Sequence, residues 1–228
     1  MAGVDEDVPS RVRTAARAVA RSGLADAFGH VSARIASDRA LITPPLPLGR
    51  ITSATSLVDL PLGPGNELPA GAPLEAWLHV ALMTDPATGA VCRAQPPAVA
   101  AFAALGLPLP ALSGHAAMLG PVAIHEDSRL VRDAGAATRV ASALGAGRAI
   151  ILRGNGAVTR GADLYAAVAA MWVLERSAEL ALRALAAGSP RPLPLDEAAW
   201  WADRADELLP RIAAYLMTEG DLDHDRAV

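Results

Sequence analysis

The 228-residue chain contains no lysine, so all 20 of its basic side chains are arginine. That absence excludes whole mechanisms. A carbonyl Schiff base and a pyridoxal phosphate anchor both need an amine on a flexible stem, which a guanidinium cannot replace. A P-loop needs its lysine as well. The single cysteine, Cys92, excludes an intrachain disulfide framework and fits a reducing cytosol. Aromatic residues make up 4% of the chain, which argues against an aromatic-rich β-barrel. Residues 1–10 carry acids and lack the apolar stretch of a secretory signal. The longest charge-free run, residues 94–124, is broken by prolines and cannot form a membrane-spanning helix.

What is present suits one fairly large globular domain, or two small ones. Hydrophobic residues reach 52% and charged residues 19%, enough for a substantial core and too apolar for general disorder. Heavy use of alanine favours closely packed helices. A net charge of -4 argues against a nucleic-acid footprint. The expectation is a cytoplasmic protein with no nucleic-acid and no membrane partner.

Periodicity divides the chain into alternating elements. Pro9-Ser10 opens a helix that places Val12, Ala15, Ala16, Val19 and Ala20 on one face and ends near Gly23. Residues 30–35 alternate as a strand, with 40–43 as a short partner and a weaker strand at 57–60. Pro44, Pro45 and Pro47 impose an irregular loop. A helix is expected over 74–83, a buried strand over 89–93, and a further helix from Pro96-Pro97. Residues 131–144 read as a helix, and 148–153 and 157–160 as a hairpin around Gly154-Asn155-Gly156. The longest helix spans 162–185. A proline-rich linker at 189–194 then leads into an amphipathic helix over 195–217, with Trp200, Trp201 and Tyr215 as packing residues. Pro210 predicts a kink there or a division into two helices. The acidic last residues are expected to fray. The body is thus residues 1–188, and 189–228 is its C-terminal helical tail.

Several stretches together resemble the class II aldolase/adducin family. They are Gly29-His-Val-Ser-Ala-Arg34, Leu41-Ile-Thr-Pro44, Pro73-Leu-Glu-Ala-Trp-Leu-His79, Ala90-Val-Cys-Arg-Ala-Gln-Pro-Pro97, Leu152-Arg-Gly-Asn-Gly-Ala-Val158, and Leu174-Glu175 in the long helix. Their order and spacing agree over residues 10–188. The resemblance implies an α/β fold, a three-layer α/β/α sandwich around a largely antiparallel sheet. It also implies a homo-oligomer, a cyclic tetramer with sites between subunits.

The departures from the family pattern carry as much information. Working members hold a divalent metal with three histidines, two of them at i and i+2 on a strand so that both imidazoles face one ion. The corresponding positions here are Arg93, Gln95 and Asn155. Arginine has no lone pair to offer and carries positive charge, and amide oxygens are weak ligands for zinc. The expectation is therefore no metal and no other cofactor. Arg93, Gln95 and Asn155 would instead donate hydrogen bonds to an anionic or carbonyl oxygen and stabilise an enolate. Glu75 matches the acidic residue that moves protons in the family.

Other residues are weighed beside these. His79 lies four residues after Glu75 on the same helical face and reads as a packing residue. The Gly-His-Val-Ser stretch places His30 on the substrate side, as in branches of the family acting on unphosphorylated aromatic carboxylates. His115 aligns with a substrate-side region of those decarboxylase-like relatives, though a lone histidine is more often a hydrogen-bonded core residue. Arg34 and Thr43 are candidates for holding an anion, but Pro45 removes a backbone donor that a phosphate site would use. Tyr215 is a loose positional match to a C-terminal tyrosine that donates a proton across subunits in some family aldolases. Cys92 should point away from Arg93 into the core. His125 and His224 read as surface residues.

The leading expectation is a metal-independent lyase acting on a small-molecule carboxylate or carbonyl substrate, with decarboxylation favoured over retro-aldol cleavage. Arg93, Asn155 and Glu75 would be catalytic, and Gln95, His30, Arg34, Thr43 and His115 would bind substrate. Two alternatives stand beside it. One is a non-catalytic, adducin-like binding or assembly module. The other is a metal-dependent aldolase with ligands relocated to His30, His79 or His115.

Overall fold

A computed structural model describes residues 7–222 apart from Pro64, with side chains to residue 217. Seven strands form one sheet: β1 (His30–Ala36), β2 (Arg39–Ile42), β3 (Val58–Pro61), β4 (Ala90–Ala94), β5 (Ala123–His125), β6 (Ala149–Leu152) and β7 (Ala157–Gly161). Their order across the sheet is β3-β2-β1-β4-β7-β6-β5. Every neighbouring pair is antiparallel except β5 with β6, so the sheet is mixed, largely antiparallel as expected.

Among the described residues eight α-helices accompany it: α1 (Val8–Arg21), α2 (Trp77–Leu82), α3 (Pro97–Ala103), α4 (Gly114–Ala117), α5 (Ala134–Leu144), α6 (Leu164–Ala187), α7 (Leu195–Ala202) and α8 (Ala205–Leu222). Strand alternation sorts the core into two clusters. One face of the sheet presents Val31, Cys92, Ala94 and Ile151 to α1, α3, α6 and α8. The other presents Ile42, Val91, Ile150 and Val158 to α2 and α5. Because side chains on a strand alternate, Arg93 shares the α2/α5 face with Val91, and Cys92 faces the other way.

Several boundaries differ from the sequence reading for identifiable reasons. The helix expected from residue 131 begins at Ala134, because the Asp133 carboxylate caps it by accepting from the Ala136 N–H at 2.8 Å. Val131 and Arg132 stay outside the helix, where the Val131 N–H reaches Glu75 and Arg132 lines the cavity. The helix expected over 74–83 starts as a 3-10 turn at Leu74–Ala76 before α2. The tail divides into α7 and α8, but at Asp203–Arg204 and not at Pro210, which lies inside α8. At that break Arg204 stacks its guanidinium 3.8 Å above the Trp200 ring and donates to the Trp200 carbonyl at 3.0 Å. Strand β5 and helix α4 have no counterpart in the sequence reading. The frayed terminus expected there, and His224, lie outside the described residues. No helix among the described residues is long and apolar enough to cross a membrane.

Two anchors set the cavity end of the sheet. Glu175 of α6 accepts from the backbone N–H groups of Ala98 and Val99 at 2.9 and 3.0 Å, capping α3 just past Gln95. The second anchor is the β6–β7 turn, where Gly156 adopts φ 77°. A Cβ there would lie 2.2 Å from the Ala94 carbonyl oxygen, so only glycine lets this turn close onto β4. Gly156→Ala is expected to lower stability by more than the roughly 1–2 kcal/mol of left-handed strain. Gly154→Ala, strained at φ 73° but with its nearest foreign atom at 3.4 Å, should cost less. Urea unfolding of the two variants checks the ranking.

Candidate active site

The site forms where β1, β4 and the β6–β7 turn meet the start of α2. The register of β1 on β4 sets His30 opposite Arg93 and Ser32 opposite Val91. Ala94 pairs with Ala157, which brings the turn residue Asn155 beside Arg93 and Gln95. Glu75 and His79, one helical turn apart, both point down onto the sheet, Glu75 onto β4 and His79 onto β1.

Arg93 is the centre of the first cluster. Its side chain is 1% exposed, and its Nη2 lies 2.9 Å from a Glu75 carboxylate oxygen. The same nitrogen donates to Asn155 Oδ1 at 2.6 Å. Asn155 Nδ2 donates to Glu75 Oε1 at 2.9 Å, and Gln95 Nε2 donates to Asn155 Oδ1 at 3.1 Å. Glu75 Oε1 also accepts from the Val131 N–H at 3.3 Å. The ring of contacts is closed, and it differs from the sequence expectation in one respect. The Gln95 and Asn155 amides were expected to offer their N–H groups to a ligand, but here those groups bond within the cluster. Arg93 retains two buried nitrogens, Nε and Nη1, with no partner among the described residues. Burial pulls the guanidinium pKa below its ordinary value, and Glu75 beside it opposes that shift.

The second cluster is a buried chain of polar groups. Ser32 Oγ lies 2.6 Å from His79 Nδ1, and His79 Nε2 lies 2.7 Å from His30 Nδ1. Burial, then His79 and Arg93, holds His30 well below the usual imidazole range. Burial, then Arg93, lowers His79 to about 3. His79, expected as a packing residue, is thus a fully buried hydrogen-bonded link between Ser32 and His30. On the opposite face of β4, burial pushes the Cys92 thiol up to about 12 despite Arg93, so it is an inert core residue.

Both clusters border one cavity of about 440 Å³, walled by His30, Glu75, Arg93, Gln95 and Asn155 at depth. Phe28, Leu46, Leu74 and Leu130 form an exposed apolar rim. Arg132 also lines it, exposed and in no ion pair among the described residues. Arg132 was not expected at the site because its segment, 131–144, reads as a helix. The Asp133 cap followed by an alanine-rich run was the available signal.

Three expected binding residues lie elsewhere. Arg34 directs its guanidinium to the backbone carbonyls of Ser37, Met83, Asp85 and Thr88, which makes it a brace at the far end of β1. Thr43 is fully buried, with Oγ1 accepting from the Val31 N–H at 3.1 Å. His115 is exposed on α4, which packs against α6 and α7 across the sheet from the cavity, so it is not a core residue. Trp201 packs against Gly114, where a Cβ would come within 2.2 Å of its ring. Tyr215 is 57% exposed beside Trp172, away from the cavity. His125 is half-buried at the end of β5.

The family model described as the class II aldolase and adducin N-terminal domain matches residues 10–182. The chain belongs to this family. A 3,4-dihydroxyphthalate decarboxylase from Terrabacter sp. is 32% identical over 206 residues, covering 82% of this chain and 86% of the relative. A second 3,4-dihydroxyphthalate decarboxylase, from Arthrobacter keyseri, is 31% identical over 194 residues, 78% of each chain. Among solved structures, an L-fuculose 1-phosphate aldolase from Glaciozyma antarctica superposes with a TM-score of 0.79 at 23% identity, covering 92% of this chain and 87% of that one. An aldolase II superfamily protein from Pseudomonas syringae gives a TM-score of 0.76 at 23% identity over 96% of this chain and 94% of that one. These structures share the three-layer fold.

The divalent metal that the family resemblance implies does not fit the residues present. The guanidinium of Arg93 sits among Glu75, Asn155 and Gln95 and already neutralises the carboxylate. Among the described residues, no group of three or more His, Cys, Asp or Glu is placed to hold an ion. Nor do the histidines form a relocated ligand set, since His30 and His79 bond to each other and His115 lies across the sheet.

Two stability experiments probe these clusters. Glu75→Gln strands a fully buried guanidinium and should cost about 3–5 kcal/mol. Arg93→Met strands a carboxylate that retains 12% exposure and should cost less. Equal costs in chemical denaturation would contradict this arrangement. The histidines set an acid limit. Both rings are neutral when folded, whereas in the unfolded chain they take up a proton near pH 6.5. Stability is therefore intact above pH 6.5 and falls as pH drops toward about 3 for His79. The slope is about 1.4 kcal/mol per pH unit for each ring. Urea midpoints between pH 7 and pH 5 measure it, and His79→Asn should flatten the slope.

Proposed function

We propose that this protein is a carbon–carbon lyase that decarboxylates an aromatic carboxylate without a divalent metal. The observation that carries the reading is Arg93: a buried guanidinium on the wall of the cavity, held there by Glu75 and Asn155. The rest of the cavity supports the substrate class. Phe28, Leu46, Leu74 and Leu130 suit a flat apolar ring, and Arg132 at the mouth suits a carboxylate. The two decarboxylase relatives act on a dicarboxylate of that kind.

In this reading Arg93 takes the position of an electrophile and stabilises charge developing on a substrate oxygen as the carboxyl bond breaks. Asn155 and Gln95 hold Arg93 and Glu75 in register. Glu75, which also lines the cavity, shuttles the proton. The balance is simple: the bond from ring carbon to carboxylate breaks, carbon dioxide leaves, and the ring carbon takes one proton. The enzyme is read as cytoplasmic and homo-oligomeric, a tetramer by the family resemblance.

The closed pairing of Glu75, Asn155 and Arg93 Nη2 favours a second reading, a module that binds a carboxylate without turnover. One assay separates the two. Purified protein is incubated with 3,4-dihydroxyphthalate and released carbon dioxide is measured, with and without EDTA. Turnover that survives EDTA and falls about 10²–10³-fold in Arg93→Ala is expected. Loss of activity on chelation would overturn the metal-free mechanism, and saturable binding without carbon dioxide release would favour the module.

A further inference from the structure

The Ser32–His79–His30 chain contains more information than its distances. Each neutral imidazole carries one N–H, so the hydrogen bonds along the chain must all run the same way. Ser32 sits at the closed end, fully buried, and its hydroxyl makes one hydrogen bond among the described residues, to His79 Nδ1. If Ser32 donates, His79 Nδ1 accepts and its proton is on Nε2. His79 then donates to His30 Nδ1, and the His30 proton must lie on Nε2. In the opposite polarity the serine hydroxyl hydrogen would be buried with no acceptor. That cost disfavours the reversed chain by about 5- to 150-fold.

The open end is at His30. Its Nδ1 is occupied by His79, and the residue lines the cavity beside Arg93. Positive charge on Arg93, together with burial, keeps both rings in the neutral form that the chain requires. We propose that Ser32 and His79 are positioning residues that lock His30 in its Nε2–H tautomer, making it a neutral hydrogen-bond donor to an acceptor oxygen of the bound ligand. The proposal deepens the decarboxylase reading and rests on it for the ligand class. The atom set against His30 is a carbonyl, carboxylate or phenolate oxygen. A substrate hydroxyl that must itself donate would find no acceptor there.

The tautomer can be read without any assay of turnover. Protein labelled with ¹⁵N in its histidines is studied at neutral pH by long-range ¹H–¹⁵N correlation. His30 and His79 are both expected to give the Nε2–H pattern. Ser32→Ala leaves His79 Nδ1 without a partner in either polarity and should turn both rings into a mixture of tautomers, whereas Ser32→Thr, which keeps a hydroxyl, should retain the original pattern. An Nδ1–H pattern on His30 in the unaltered protein overturns the proposal, as does a tautomer indifferent to Ser32→Ala. In the carbon dioxide assay, Ser32→Ala should lower kcat by about tenfold or more with little change in KM. His30→Gln keeps an N–H at the ε position and should retain more turnover than His30→Leu, which loses about 10²–10³-fold. Equal losses in those two variants would also overturn it. If the unaltered protein releases no carbon dioxide while the Nε2–H pattern and its Ser32 dependence hold, the decarboxylase reading fails and the tautomer lock stands.

Discussion

A single buried charge organises this molecule's cavity. Arg93 lies on a central strand with almost no exposure, and an unpaired guanidinium there would be prohibitively costly. Its partner must come from outside the sheet, and it does: Glu75 descends from the turn that opens α2. Once Glu75 is committed, its second oxygen needs donors. Asn155 from the β6–β7 turn and the Val131 N–H from the segment before α5 provide them. Four separate parts of the chain are thereby tied to one ion pair. The tight closure at Gly156 and the Glu175 cap of α3 follow as conditions for bringing those parts within reach.

The same charge governs the histidines. A guanidinium beside two buried imidazoles penalises protonation of either, so the Ser32–His79–His30 chain persists as a set of neutral dipoles. Charge and dipole are thus divided between two neighbouring clusters. One is a compensated ion pair on β4, and the other a directed row of hydrogen bonds reaching β1 from α2. Both border the same cavity.

Much of this was legible in the residues. The alternation around Arg93 and Cys92 correctly assigned them to opposite faces, and Gly154-Asn155-Gly156 marked the turn that delivers Asn155. The four-residue spacing of Glu75 and His79 correctly put both on one helical face. What escaped was decided by tertiary partners. His79 looked like packing because nothing local reveals that Ser32 and His30, on a strand more than forty residues away, will meet both of its nitrogens. Arg34 looked like an anion ligand because sequence does not show four backbone carbonyls converging on it. Strand β5 is three residues long and bonds to one neighbour only, too short for a periodic signal. The break between α7 and α8 followed a stacked Arg204 rather than the proline that composition made conspicuous.

The closed ring of Arg93, Glu75, Asn155 and Gln95 also constrains how this site can change by mutation. Replacing Arg93 with histidine alone would leave Glu75 without its counter-charge and Asn155 Oδ1 without its shortest donor. Replacing Asn155 alone would open both Glu75 and Arg93. Substitutions at Arg93 and Asn155 are therefore expected to be non-additive, as for residues in one hydrogen-bond network. The four side chains have to be considered as one unit when any of them is substituted.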